Sequence, residues 1–357
     1  MKLELQSEKL RVLPVNLIDT GDAVVLKRGR VELRIAGTGA ADAVGRLFDC
    51  ARNGATRDEL VALFPAGEVA GAEALIDHLL SRSILVSEET PAADGRTSES
   101  QLEVFYWHFG TQTAQVRERL NAKRIKITGV NYISRQLIAG LRASGAEELE
   151  VIDQPLLRNE ALFDDGGALR MREWSAPVSE YAEDLDPDTL DCVIATSDSG
   201  GVEQMRLWNE FCVLHNLQFV PVMLQDLVGY VGPIVVPGQT PCFECVRLRQ
   251  NAHLLDFQSR RAVEAAFIHK QAIGGFHPSM ATILGDIAAL EITKYFGIGG
   301  SIARPGTLIK VNLLGSEMKP LQVLKVPRCP VCSRLNRTPS TALTRASLSM
   351  PRTEEGQ

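Results

Sequence analysis

Apolar and polar residues alternate over "RVELRIAG", where Val31, Leu33 and Ile35 are interleaved with Glu32 and Arg34. A period of two predicts a strand with one buried face. Two more strand-like pieces precede it, "RVLPVNL" and "AVVLKRG". The period then lengthens. Val44, Leu47 and Phe48 share one face of a helix expected from about Ala40 to Ala51. "TRDELVALF" opens with Thr56 and Glu59, a capping-box pair in which each side chain satisfies the other's backbone N–H. "GAEALIDHLLSRSIL" sets Ala72, Leu75, Ile76, Leu79 and Leu80 at helical spacing. A short β-meander followed by three helices, the last two close together, is the element order of a winged helix.

The pattern breaks at "ETPAADGRTSESQ" (89–101), which is polar and rich in Pro, Gly and Ser and reads as a linker. A second polar stretch, 336–357, carries neither period and reads as a disordered tail. These breaks divide the chain into a small unit, 1–88, and a larger one, 102–335. In the larger unit, "RIKITGVNYISRQLIAGLRASGAEELEVID" reads strand, turn, helix, strand. Ile125 and Ile127 open it, Gly129 makes the turn, Leu137, Ile138 and Leu141 form a helical stripe, and Asp153 ends the second strand. A glycine turn with an acid about 20 residues further on is the layout of a dinucleotide-binding fold. Only Gly129 remains of the glycines that would let a backbone approach phosphates, and bulky Tyr132 follows. "LDCVIATSDS" supplies another strand ending at Asp198. A helix over 202–216 follows, with Met205, Trp208, Phe211 and Cys212 inward. "PSMATILGDIAALEITKYF" (278–296) predicts a helix with Met280, Ile283, Leu284, Ile287 and Leu290 on one face, and "TLIKVNLL" a further strand. Strands alternating with helices predict an α/β sheet, parallel at its start.

Composition changes little. The chain has 357 residues, 45% hydrophobic and 23% charged, with a net charge of −6, so nothing marks a nucleic-acid binder. The third helix of the small unit offers Arg82 against Glu73 and Asp77, which also argues against DNA. No apolar run reaches the roughly 18 residues of a membrane span. The N-terminus has no signal-peptide core, so a cytoplasmic location is expected. Seven cysteines, an odd number, argue against a disulfide framework. Cys50, Cys192 and Cys212 sit in apolar stretches and read as small buried hydrophobes. The other four form two C-x-x-C pairs, Cys242 with Cys245 in "PCFECVRLRQ" and Cys329 with Cys332 in "VPRCPVCSRL". Two such knuckles suit a closed, structural Zn²⁺ site that ties the end of the fold to its middle. A redox pair, the alternative, needs only one C-x-x-C. His253, His269 and His277 lie between the pairs and read as surface or packing histidines.

Two resemblances follow from these motifs. Residues 120–333 resemble the ThiF-like, ubiquitin-activating superfamily. They carry the glycine turn, "VID", "VIATSD", the glycine and proline run Gly229, Gly232, Pro237, Gly238, Thr240 and Pro241 ahead of Cys242 and Cys245, and the distant second pair. The small unit resembles the PqqD-like leader-recognition domain of peptide-modifying systems, on its length and element order. The fold class implied is an α/β ThiF-like Rossmann-type sheet domain preceded by a small winged-helix, PqqD-like domain. Active ThiF-like enzymes adenylate a carboxylate. The resemblance places Asp153 at the ribose, Asp198 at the metal-binding acid, and Arg158 and Asn159 in the Asn/Arg region after the second strand. No lysine occurs between Lys126 and Lys270, and 246–277 holds no cysteine nucleophile. Gly129, Asp153 and Asp198 are therefore expected to be a vestigial nucleotide pocket, with ATP not expected as a cofactor and no catalytic residue assigned. Together the halves resemble the leader peptide-binding C protein of thiazole/oxazole-modified microcin (TOMM) clusters. That family implies a non-catalytic subunit that presents a ribosomally made precursor to a YcaO-type cyclodehydratase for azoline or azole formation. It also implies binding of the leader as an added strand at Val31, Glu32, Leu33, Arg34 and Ile35 beside Leu75 and Leu79. From the ThiF-like resemblance a homodimer is expected. The alternative is an active adenylating enzyme acting on a peptide or carrier-protein C-terminus.

Overall fold

The computed structural model describes residues 9–87, 101–170, 174, 176–180, 185–225, 227–252, 256–268, 275–299 and 302–333. The linker expected over 89–101, except Gln101, and the tail expected over 336–357 lie outside these, as do His253 and His269. The chain divides into two compact units, 1–115 and 116–357.

The first unit opens with β1 (Lys9–Val12), β2 (Asn16–Asp19), β3 (Ala23–Arg28) and β4 (Val31–Ala36). Next come α1 (Ala40–Ala51), β5 (Ala55–Thr56), α2 (Arg57–Val61), α3 (Val69–Ser81), β6 (Leu85–Ser87) and α4 (Gln101–Trp107). The expected strand "RVLPVNL" is two strands. Pro14 separates them, since it has no N–H for a ladder. β1 pairs with β5 and β6, and β2 pairs with β3 in an antiparallel β2-β3-β4 meander. The three helices fall where their periodicity puts them. Thr56 accepts from the Glu59 N–H, and Glu59 Oε2 accepts from the Thr56 N–H at 2.8 Å, so the capping box is made in full. Val24, Leu26, Leu47, Leu60, Ile76 and Leu79 are fully enclosed and form the core between strands and helices.

The second unit begins within α5 (Thr113–Asn121) and continues with β7 (Ile125–Thr128), α6 (Tyr132–Ala143), β8 (Glu150–Asp153), β9 (Val178–Glu180) and β10 (Cys192–Ser197). Then follow α7 (Val202–Leu214), β11 (Gln218–Gln225), β12 (Val228–Val231), α8 (Phe243–Asn251), α9 (Phe257–Ile268), α10 (Pro278–Ile292), β13 (Thr307–Asn312) and β14 (Glu317–Gln322). The strands make one eight-stranded sheet, ordered β14-β13-β12-β11-β10-β7-β8-β9. The five strands from β11 to β9 are parallel, and β12 to β14 return antiparallel. The order reverses beside β7, where an open α/β sheet presents a crevice at the strands' carboxyl ends. Trp208, Met205 and Cys212 of α7 pack on β10 and β11. Phe211, expected inward, lies partly buried at that core's margin.

α10 departs from its sequence reading. Ile283 and Leu290 are 39% and 47% exposed, and the buried face is Met280, Ala281, Leu284, Gly285, Ala288, Ala289 and Ile292. The cause is the neighbour. α6 and α10 pack backbone to backbone, and a Cβ on Gly285 would lie 2.6 Å from the Ile133 carbonyl. Only small residues permit that approach, which rotates the larger side chains outward. The helix then passes into a π-helical turn, Thr293–Ile298. No helix among the described residues is long and apolar enough to cross a membrane.

Candidate functional site

Three places hold the residues singled out in the sequence. The first is the pair of C-x-x-C knuckles. Cys242 is the N-cap of α8 and Cys245 lies in its first turn, while Cys329 and Cys332 sit on a tight turn after β14. Cys242 Sγ is 3.9 Å from Cys245 Sγ and 3.6 Å from Cys329 Sγ, and Cys245 Sγ is 3.4 Å from Cys332 Sγ. All four ligand atoms lie within 4.8 Å of one another. Four sulfurs around a tetrahedral ion with Zn–S of about 2.3 Å stand roughly 3.8 Å apart, so the donor set fits. The Val326 N–H donates to Cys245 Sγ at 3.4 Å, a backbone bond that suits a thiolate. Hydrogen bonds from Cys242, then from Cys329 and Cys332, hold the Cys245 thiol well below its ordinary range. Cys242, Cys245 and Cys329 belong to the core that contains Trp208 and Val235, so the site is walled by packed side chains. Such a four-cysteine cluster can hold a metal ion.

The second place is the carboxyl-end crevice at β7. Gly129 has φ of 97°, and a Cβ there would lie 2.4 Å from the Thr196 carbonyl. The glycine is required by the close approach of the Thr196 carbonyl at the end of the neighbouring parallel strand β10. Asn131 caps α6, its Oδ1 accepting from the Ser134 N–H at 3.1 Å, and Ser134 Oγ accepts from the Asn131 N–H at 3.0 Å. Asn131 Nδ2 also donates to the Leu157 and Thr196 carbonyls, each at 3.0 Å. This box was present in the sequence as N-x-x-S, a spacing the glycine-centred reading of the turn passed over. Asp198, 1% exposed, places Oδ2 3.0 Å from the Tyr132 N–H and 2.8 Å from Asn159 Nδ2. Burial pushes its carboxyl up to about 6, against the lowering effect of those bonds. Asp153 is engaged by Arg158 on both oxygens, at 3.1 and 2.5 Å. The Arg158 guanidinium also stacks 4.1 Å from the Phe163 ring centre. Its pKa is raised, chiefly by the Asp153 bond. Gly129, Asp153 and Asp198 thus meet in one crevice, with both carboxylates already partnered.

The third place is β4. Its register runs against β3 alone among the described residues, Arg28 opposite Val31 through Ala23 opposite Ala36, which leaves β4 an edge. Val31, Leu33 and Ile35 are half-buried and turn toward the core, while Glu32 and Arg34 face water. Lys27 holds Glu32 at 3.0 Å and Asp22 holds Arg34 at 2.8 Å. On α3, Leu75 is half-buried and packs against the same core, but Leu79 is fully enclosed and so offers no surface to a peptide. The opposite edge, β2, is exposed along its length, with Leu17 and Ile18 at 38% and 48%.

Residues 169–331 match the model of the ThiF family. The larger unit is ThiF-like. Escherichia coli MccB, solved with AMPCPP and MccA, superposes with a TM-score of 0.65 at 16% identity, covering 91% of this chain and 100% of that one. MccB, described as the microcin C7 biosynthetic enzyme, in complex with N-formylated MccA gives 0.66 at 15%, again over 91% and 100%. A heterocyclase in complex with substrate and cofactor gives 0.57 at 17%, covering 92% of this chain and 40% of that one. At these identities the likeness is one of fold, and it spans both units. No curated protein matches the chain in sequence.

Proposed function

We propose that this chain captures the leader of a ribosomally synthesised precursor peptide and presents it to a YcaO-type cyclodehydratase for azoline or azole formation, itself without ATP chemistry. The open edge of β4, in a unit attached to a ThiF-like fold, carries the reading. An edge strand offers unpaired N–H and C=O groups to an incoming strand. The half-buried Val31, Leu33 and Ile35 give that strand an apolar side to lie on. Support also comes from the likeness, over 91% of the chain, to MccB, crystallised with MccA, and to a heterocyclase in complex with substrate, most of which lies outside the match. The small unit is read as PqqD-like on its element order. Fluorescence polarisation with a labelled leader peptide encoded beside this chain tests the proposal: micromolar or tighter binding is expected. Binding that survives removal of residues 1–88 would overturn the site.

The four cysteines are read as a structural zinc site: closed, with all positions filled by protein sulfur and none left for substrate. Bound zinc would fix the turn after β14 to the start of α8. The ThiF-like fold also underlies the expected homodimer.

The second reading is an adenylating enzyme. It is favoured by the likeness to MccB, solved with ATP as well as with AMPCPP. Against it stand the crevice residues. ATP binding at a helix N-terminus needs free N–H donors and neutralising cations. Here the Asn131, Tyr132 and Ser134 N–H groups are taken by side chains of the chain itself, and Arg158 is spent on Asp153.

A further inference from the structure

The crevice at β7 contains a carboxylate where this class of sheet presents phosphate-binding donors. α6 is twelve residues long, and a helix of that length leaves its first N–H groups without intrahelical partners. Its positive end favours an anion. Asp198 supplies one: Oδ2 takes the Tyr132 N–H and Asn159 Nδ2, in a position 1% exposed, while Oδ1 is buried with no hydrogen-bond partner. Asp198 follows the last residue of β10, so the carboxylate joins the end of that strand to the start of α6 and to the segment after β8. Those are the three pieces of backbone that a nucleotide would bridge.

We infer that Asp198 is the resident ligand of an anion site at the N-terminus of α6, holding together by a covalent side chain the crevice that a bound nucleotide holds together in an ATP-using fold. This rests on the reading that the pocket does not take ATP, and it extends that reading: the donors are kept and put to a structural use. With the side chain gone, the Tyr132 N–H and Asn159 Nδ2 are left buried and unpaired, and a small external anion takes their bonds.

The test is chemical rescue in the full chain. Thermal unfolding of wild type, Asp198→Ala and Asp198→Asn is followed with sodium formate titrated against sodium chloride at matched ionic strength. Asp198→Ala is expected to unfold roughly 3–8 °C below wild type, the cost of orphaned buried donors. It should recover at least half of that loss as formate saturates. Asp198→Asn keeps an acceptor and should show no formate response, and wild type should respond neither to formate nor to inorganic pyrophosphate. A saturating rise of the wild-type Tm with either anion overturns the inference, because the site would then be open. So does a folded Asp198→Ala that ignores formate. If that variant does not fold, Asp198→Ser, with a short side chain that leaves the same space, takes its place under the same criteria. If neither variant folds in chloride, growth and purification in formate must yield folded protein, and failure to do so counts against the inference. ATP exchange by the wild type would sink the functional reading separately, whatever the rescue shows.

Discussion

Asp198 sets burial directly against hydrogen bonding. Burial prevails, and its carboxyl is pushed up to about 6. In the unfolded chain an aspartate titrates near ~3.9. Between these values the folded protein binds the proton more readily than the unfolded chain does. The stability this group contributes is therefore present below about pH 4 and is lost as pH rises to about 6. Asp198→Asn is expected to abolish a decline of at most roughly 3 kcal/mol across that window, measured by denaturant unfolding at stepped pH. An Asp198-dependent rise in stability with pH over the same window contradicts the burial argument. At the sulfur cluster, Cys329→Ser is expected to lower bound zinc from about one per chain to near zero, read by elemental analysis. Loss of a bound ion should also lower stability by about 3 kcal/mol or more. Wild-type protein free of zinc yet unmoved by a chelator contradicts the site. The cysteines were legible in the sequence because C-x-x-C fixes two sulfurs on one turn wherever it occurs. Arg158 closing on Asp153 was not, since nothing in "VIDQPLLRN" says that the acid is answered by a residue five positions on.

At the scale of elements, periodicity located β1 to β4, β7, β8, β10 and β13 and the helices α1 to α3, α6, α7 and α10, left α4, α5, α8, α9, β9 and β14 unread, and failed where an element's partner set the phase. Leu284 and Ile283 are equally apolar, and only the close crossing of α6 over Gly285 decides which is enclosed. Leu284→Ala should therefore cost about 2–5 kcal/mol and Ile283→Ala less than about 1, by urea denaturation. Equal costs would put the helix back in the phase its sequence suggests. Pro14 was the visible reason for the split between β1 and β2, yet which sheet each strand joins depends on β5 and β6, far along the chain. For β4, alternation was readable and so was one buried side. That the strand is an edge is a property of the sheet order, which the sequence of the strand does not contain. Ile35→Glu, placing a charge on the half-buried side of β4, is expected to weaken leader binding at least about tenfold with the circular dichroism spectrum unchanged. Undiminished affinity would move the peptide away from this edge.

For the whole molecule, the fold class was legible because strand and helix periods alternate in the order of an open α/β sheet; β13 was read as a strand, but β14 and the antiparallel return of β12 to β14 were not, since they depend on the sheet order. The ThiF-like unit retains the crevice of that class, its glycine turn and its two acids. Each is tied to side chains of the chain itself: Thr196 Oγ1 donates to the Gly129 carbonyl, Asn159 Nδ2 to Asp198 and Arg158 to Asp153. On the proposed function, the molecule reads peptides and its nucleotide crevice serves as internal bracing. The most direct test is ATP–pyrophosphate exchange by the purified full chain with Mg²⁺, in the presence of the precursor peptide that polarisation shows it to bind. The account predicts binding of the peptide with exchange indistinguishable from a protein-free control. Peptide-dependent exchange above that control, lost on Asp198→Asn, would contradict it.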